Sequence, residues 1–380
     1  MLARPNIVLK IDPLTQMKNK TSARRWVREE IQQQSSYHVP PAGDFIKLDA
    51  MENPWPMPAD LNNAWRESLK SLHLNRYPDP KAAKLTDSLR RQMAIPETSA
   101  VILGNGSDEL IQLILMALAG NNRTVLSPSP SFVMYEVLAR ACGLSYFGVP
   151  LQNDFTLDMA AMRNAIRDHQ PAVIFLASPN NPTGAAFESS DIEEILTLAP
   201  GLVVVDEAYY PFVGEKQESF MSRMQDYPDL IVMRTLSKVG LAGIRLGLIA
   251  GHADWMKELD KLRLPYNINT LTQATASFVL DHWQDFEHQI EQICRERDRV
   301  YNTLSSLQGV ETWPTDTNFI LFRVSDNRAE KIHTQLIQKG ILIKCLHRTG
   351  NTLDNCLRAT IGRPDENDAF LKALSELLAA

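Results

Sequence analysis

The chain has 380 residues, 44% of them hydrophobic and 22% charged, with a formal net charge of -6. This length admits two domains, or one large domain with a satellite, and the composition is that of an ordinary globular protein. The acidic excess argues against a nucleic-acid binder, and four scattered cysteines (Cys142, Cys294, Cys345 and Cys356) with no Cys-x-x-Cys argue for reduced thiols in a cytosol rather than a zinc site or a disulfide framework.

No apolar run reaches the length of a membrane span, and no secretory pattern follows the start. Lys18, Lys20, Arg24, Arg25 and Arg28 give the first thirty residues a basic bias that Glu29-Glu30 ends at once. That favours an N-terminal arm, or a start placed too early, over an organelle-targeting peptide. Between residues 100 and 250, β-rich runs alternate with helical periods. Strand Ala100–Leu103 leads to a helix over Ser107–Ala119, and Thr124–Leu126 precedes a helix over Phe132–Cys142. Ala172–Ala177 precedes a helix near Glu188–Leu198, and Leu202–Val205, Leu230–Met233 and Leu246–Ala250 are further strands. Several of these runs are apolar without alternation, as strands buried on both faces are, so the pattern predicts a mostly parallel α/β sheet. After residue 270 two long helices (271–283 and 285–307) lead to strand Asn318–Val324 and a helix at Ala329–Lys339. Strands Ile341–Leu346 and Cys356–Ile361 and a last helix at Glu366–Leu378 follow, the outline of a smaller α+β domain.

Ligands of open parallel sheets gather at the carboxyl ends of the strands, so the polar loops there carry the functional information. "LGNGSDELI" (103–111) offers a glycine turn, a capping Ser107 or Asp108, and the free N–H groups of a helix start, which suit a phosphate. "SPNNPTG" (178–184) is a rigid turn whose two asparagines offer amides to a bound molecule. In "LVVVDEAYYPF" (202–212), Asp206 ends a buried valine strand, where its charge is costly unless a cation meets it, and Tyr209 follows within one turn. In "IVMRTLSKVGLAGIRLGLIAG" (231–251), Lys238 stands at the lip of the core between Ser237 and Arg245. Burial and cationic neighbours ease the loss of its proton and make it a nucleophile for a carbonyl.

Each loop alone reads as an ordinary turn, cap or snorkelling side chain. Together they ask for one ligand with an aldehyde for Lys238 and a basic ring nitrogen for Asp206. That ligand also needs a phosphate for Ser237, Arg245 and the helix start at Gly106–Asp108. Pyridoxal 5'-phosphate has all three.

At this point the chain resembles a fold-type I pyridoxal-phosphate-dependent aminotransferase, of the histidinol-phosphate aminotransferase family, from about Ser35 to the C-terminus. The resemblance is carried by "SYHVP", "IKLDAMENPWPMP", "NRYPDP", "GNGSDELI", "SPSFVMY", "SPNNPTG", "VVVDEAYYPF", "RTLSKVGLAGIRLG", "TNFILFRV" and "LRATIG". It implies an α/β fold with a three-layer αβα large domain on a mostly parallel sheet (60–270) and a smaller α+β domain (45–59 with 271–380), preceded by an arm (1–44). Lys238 is then the covalent anchor and general base, Asp206 the partner of the ring nitrogen, and Asn181 and Tyr209 the partners of the ring's 3'-oxygen. Gly106, Ser107, Asp108, Thr235, Ser237 and Arg245 form the phosphate cup, and Phe132 stacks on the ring. Tyr77 reaches the phosphate from a partner subunit, which implies a homodimer with shared sites. Arg358, with Tyr37, Asn181 and Lys344 nearby, receives substrate anions.

The implied activity is a ping-pong amino transfer between glutamate/2-oxoglutarate and imidazole-acetol phosphate/L-histidinol phosphate, in histidine biosynthesis in the cytoplasm. A threonine-phosphate decarboxylase or an aromatic-amino-acid aminotransferase of the same fold is the alternative. Two features depart from the family pattern. The loop from Lys238 to Arg245 is one residue shorter than in many members, and Lys344 stands where relatives often carry a second arginine. A lysine keeps the charge but lacks the bidentate fork.

Overall fold

Val173–Ala177, Leu202–Asp206 and Leu230–Thr235 are buried along their whole length and lie side by side, as their unbroken apolar character requires. They are β5, β6 and β7 of a seven-stranded sheet in the computed structural model, which describes residues 23–36, 43–347 and 351–379. The other strands are β2 (Ala100–Gly104), β3 (Thr124–Ser129), β4 (Ser145–Pro150) and β8 (Gly247–Gly251). Their order is β2-β8-β7-β6-β5-β3-β4. All neighbours run parallel except β8, which is antiparallel to both β2 and β7.

Strand alternation sends side chains to two separate cores. Leu202 and Val204 pack with helices α5 (Ser107–Leu118), α6 (Met134–Ala141) and α9 (Ala253–Asp260) on one face. Val203 and Val205 pack with α4 (Ala83–Gln92), α7 (Met159–His169) and α8 (Ser189–Leu198) on the other. This is the expected three-layer αβα arrangement. The edge strand β4 alternates exposed residues with half-buried or buried ones, a pattern that blurs into the turn residues around it and so carries no strand signal in the sequence.

A second sheet has the order β1-β11-β12-β10-β9. It comprises Ile46–Leu48 (β1), Val310–Thr312 (β9), Phe319–Val324 (β10), Ile341–Cys345 (β11) and Cys356–Thr360 (β12). β1 pairs parallel with β11, although nearly three hundred residues separate them; the remaining pairs are antiparallel. Helices α10 (Thr270–Asp281), α11 (Trp283–Ser306), α12 (Ala329–Gln338) and α13 (Pro364–Ala379) follow close to their expected places. The described part of the N-terminal unit, residues 1–41, holds two single-turn helices, α1 (Ala23–Trp26) and α2 (Glu29–Gln32), and α3 (Ala59–Leu69) follows β1 in the chain. Among the described residues no helix is long and apolar enough to cross a membrane.

Candidate active site

The parallel strands β5, β6 and β7 end at one cavity, and ten of the residues singled out from sequence line it. Asp206 closes β6 and is only 5% exposed. Its Oδ2 accepts the Tyr135 hydroxyl at 2.6 Å, and its Oδ1 accepts the Ala208 N–H at 3.1 Å. Burial pushes the carboxyl from 3.8 up to about 6, the two donors pulling the other way. Asp206 therefore caps its own loop and still keeps lone pairs for a cationic guest.

Lys238 sits in a π-helical turn, Ser237–Leu241, directly after β7. Burial, and next the positive charge of Arg358, lower its ammonium from 10.5 to about 8. Its Nζ lies 5.6 Å from the ring centroid of Tyr209. The side chain as a whole is half-buried, and its amine end is turned into the cavity beside Tyr209 rather than out to solvent. A buried, readily deprotonated amine beside the cavity is a nucleophile for a carbonyl.

Hydroxyls and N–H groups cluster below Lys238. Thr235 Oγ1 lies 2.9 Å from Ser237 Oγ and accepts the Ser237 N–H at 3.1 Å. Arg245, in left-handed backbone at φ 51°, reaches toward the start of α5, with Nη2 3.4 Å from Asp108 Oδ2. The expected side-chain cap on α5 is absent. Gly106 occupies the cap position with no side-chain bond, Ser107 is the first helical residue, and Asp108 turns one carboxylate oxygen to Arg245. The opening N–H groups are thereby left for an anion. Glycine is required here twice over. A Cβ at Gly106 (φ 89°) would lie 2.5 Å from Arg245 Nη2, and one at Gly247 would lie 2.8 Å from Ser107 N.

On the opposite side, Arg358 of β12 is buried, only 6% exposed. Its Nη1 donates to Asn181 Oδ1 at 2.5 Å and its Nη2 to the Asp49 carbonyl at 3.0 Å, above the Phe319 ring at 5.1 Å. Asn181 Nδ2 donates in turn to Tyr209 Oη at 3.3 Å. Burial raises the Tyr209 phenol above its ordinary 10, so it stays protonated. Lys344 lies directly across the ladder from Arg358, which puts two cations on one face of the second sheet.

Only one of the two asparagines in the 178–184 turn faces the cavity. Asn180 spends its amide on structure, donating to Thr183 Oγ1 at 2.9 Å within its own turn and to Pro130 O at 3.0 Å in the turn after β3, because a fully buried amide must find protein partners. Phe132 lines the cavity from just before α6. Tyr77 does not: it is 81% exposed and stacks on Tyr266 at 4.5 Å. Tyr37 lies outside the described residues.

Two cavity neighbours were not singled out from sequence. Tyr135 lies three residues beyond Phe132 in a segment already quoted as distinctive, and only the fold shows that its hydroxyl meets Asp206. Met51 enters from the segment after β1 at φ 54°, its N–H bonded to Thr360 Oγ1 at 2.9 Å and its carbonyl to Asn318 Nδ2 at 3.0 Å. The strained backbone that turns it inward has no local sequence signature.

These groups fit pyridoxal phosphate on chemical grounds. Lys238 suits an aldehyde, Asp206 a ring nitrogen, and Thr235, Ser237, Arg245 and the glycine-walled start of α5 suit a phosphate. Residues 44–374 match the family model described as "Aminotransferase class I and II". "Histidinol-phosphate aminotransferase 2" of Nitrosococcus oceani is 51% identical, the match covering 93% of this chain and 98% of that one. "Histidinol-phosphate aminotransferase 1" of Ralstonia nicotianae is 48% identical over 93% of this chain and 95% of its own length. The crystal structure of histidinol-phosphate aminotransferase from Sinorhizobium meliloti, solved in complex with pyridoxal-5'-phosphate, superposes with a TM-score of 0.83. It is 22% identical, with 93% of this chain and 98% of that chain covered.

Proposed function

Because the chain belongs to the class I and II aminotransferase family, we propose that it is a pyridoxal-phosphate-dependent histidinol-phosphate aminotransferase. It would move an amino group between glutamate/2-oxoglutarate and imidazole-acetol phosphate/L-histidinol phosphate. The observation that carries this reading is a single cavity in which the amine of Lys238 and the buried carboxylate of Asp206 both face the ends of parallel strands, with Arg245 at the phosphate side.

When bound, pyridoxal phosphate supplies an aldehyde for the amino group and an electron-withdrawing ring that draws charge from the substrate's Cα. Lys238 would hold the aldehyde, and its amine, which its lowered pKa leaves largely able to be unprotonated near pH 8, would take up the proton from the substrate's Cα. Asp206 keeps the ring nitrogen charged, and Tyr209 with Asn181 donates to the ring's 3'-oxygen. Ser107, Asp108, Thr235, Ser237 and Arg245 hold the phosphate around Gly106, the acidic side chain of Asp108 acting through Arg245 and its backbone through the helix start. Phe132 covers the ring. Arg358 and Lys344, paired across the ladder, receive either a substrate carboxylate or a substrate phosphate, and Tyr37 is a further substrate-binding residue of this reading.

The same reading makes the protein a cytosolic homodimer, with Tyr77 serving the partner's cavity; its exposure and its absence from its own cavity support that assignment. It also assigns 45–59 with 271–380 to a smaller domain, supported by the pairing of Ile46–Leu48 with Ile341–Ile343.

Loading the holoenzyme with histidinol phosphate should carry the cofactor to its amine form, followed spectroscopically, and Lys238→Ala should abolish both borohydride-trapped cofactor and turnover. Release of carbon dioxide from threonine phosphate without amino transfer would favour the decarboxylase instead. Turnover of phenylpyruvate with indifference to phosphate would favour the aromatic aminotransferase.

A further inference from the structure

We infer that Tyr135 is a positioning residue for this chemistry: its buried hydroxyl holds Asp206 in one rotation, as the charged partner for the cofactor's ring nitrogen. The inference rests on the proposed function, which supplies that nitrogen.

Tyr135 is fully buried in α6, and its hydroxyl reaches Asp206 Oδ2 at 2.6 Å across seventy residues of chain. Its ring cannot swing away. It lies flat on Phe175 of β5 at 4.7 Å and 12°, and stands edge-on to Phe132 at 5.5 Å and 85°. The aromatic that covers the cofactor and the donor that holds its acidic partner thus pack as one unit. With Ala208 N–H on Oδ1, each carboxylate oxygen has one fixed protein donor and a remaining lone pair. Burial and the neighbouring Asp206 keep the Tyr135 phenol protonated far above neutral pH, so it serves as a permanent donor. The other groups bearing on this pair are Asp108 and Lys238 around Asp206, and Tyr146 and Tyr209 around Tyr135. Neither Tyr146 nor Tyr209 donates to Asp206: Tyr146 Oη lies 2.7 Å from Ser127 Oγ, and Tyr209 Oη accepts from Asn181.

Removing the hydroxyl leaves a buried carboxylate one donor short, which raises its proton affinity and draws the shared proton off the ring nitrogen. A ring with less positive charge withdraws less from the nitrogen of Lys238, which then keeps its proton to higher pH.

The test compares wild-type and Tyr135→Phe holoenzymes. The variant is expected to raise the pH midpoint of the cofactor's visible band by about one unit. It should move the nitrogen-15 resonance of ring-labelled cofactor toward the unprotonated position, and slow the histidinol-phosphate half-reaction about tenfold with substrate Kd unchanged. A purely structural tyrosine would lower the melting temperature and leave midpoint and resonance alone, which overturns the inference. If the phenylalanine variant does not fold, 3-fluorotyrosine at position 135, a stronger donor, should lower the midpoint; no movement overturns the inference equally. In an Asp206→Asn background, Tyr135→Phe should cost nothing further, and additive losses would refute positioning through Asp206. A wild type that takes up pyridoxal phosphate without a visible band would sink the functional reading itself, and this inference with it.

Discussion

Two carboxylates follow one another at the end of β6, and the pleat sends them to opposite faces of the sheet. Their burial is nearly the same, 5% exposed for Asp206 and 2% for Glu207. Glu207 is met by Arg234 at 2.7 Å, by the Ser219 hydroxyl at 2.7 Å and by the Phe220 N–H at 2.7 Å, and Arg234 in turn lies over the Tyr210 ring at 3.9 Å. Asp206 has only a phenol and one backbone N–H, and no ion pair among the described residues. Burial therefore does not mark the functional acid; incomplete compensation of its charge does. Glu207 is a closed ion pair that fixes β6 to β7, whereas Asp206 is a charge held for a guest.

The comparison breaks most visibly on the Glu207 side. Arg234→Met strands a buried carboxylate and should cost about 3–5 kcal/mol of stability in urea unfolding, part of which Glu207→Gln should restore. If Asp206 were a member of such a closed pair, its neutralisation would strand a partner and destabilise, but the opposite is expected. Its native pKa, raised from 3.8 to about 6, means that the folded apo-protein binds more protons than the unfolded chain between those values, so stability falls as pH rises through that window. Asp206→Asn should raise apo-protein stability at pH 7 by up to about 3 kcal/mol while removing most turnover. A stability loss in that variant would erase the distinction between the two acids.

Lys238 sharpens the same contrast from the cationic side. With its ammonium lowered to about 8, reaction of the apo-protein with pyridoxal, trapped by borohydride, should show a midpoint near pH 8 rather than 10.5. The smallest effect is expected at the cation pair of the second sheet. Lys344→Arg restores a bidentate fork beside Arg358 and should lower KM for the phosphorylated substrate a few-fold with kcat little changed.

Legibility in the sequence tracked how local each signal is. β5, β6 and β7 were readable because burial on both faces demands unbroken apolar residues. β4 escaped because an edge strand obeys a weaker rule, and β1 because three residues cannot announce a partner near residue 341. The capping role expected of Ser107 or Asp108 failed for a related reason: the composition of a helix start does not say whether a side chain will turn inward to cap or outward to Arg245. Asn180 and Asn181 are chemically identical in sequence, and only packing ties one to Thr183 and the turn after β3 and sends the other toward Tyr209 and Arg358.

By itself the sequence determined the strand alternation, the placing of Lys238, Asp206 and Arg245 at strand ends, and hence the kind of ligand they suit, because periodicity and strand-end position are written residue by residue. The tertiary structure alone decided that Tyr135 meets Asp206, that Arg358 is buried against Asn181, and that Glu207 rather than Asp206 is neutralised by an arginine. Those pairings join segments tens to hundreds of residues apart, and which charge finds a partner depends on which faces the folded sheet brings together.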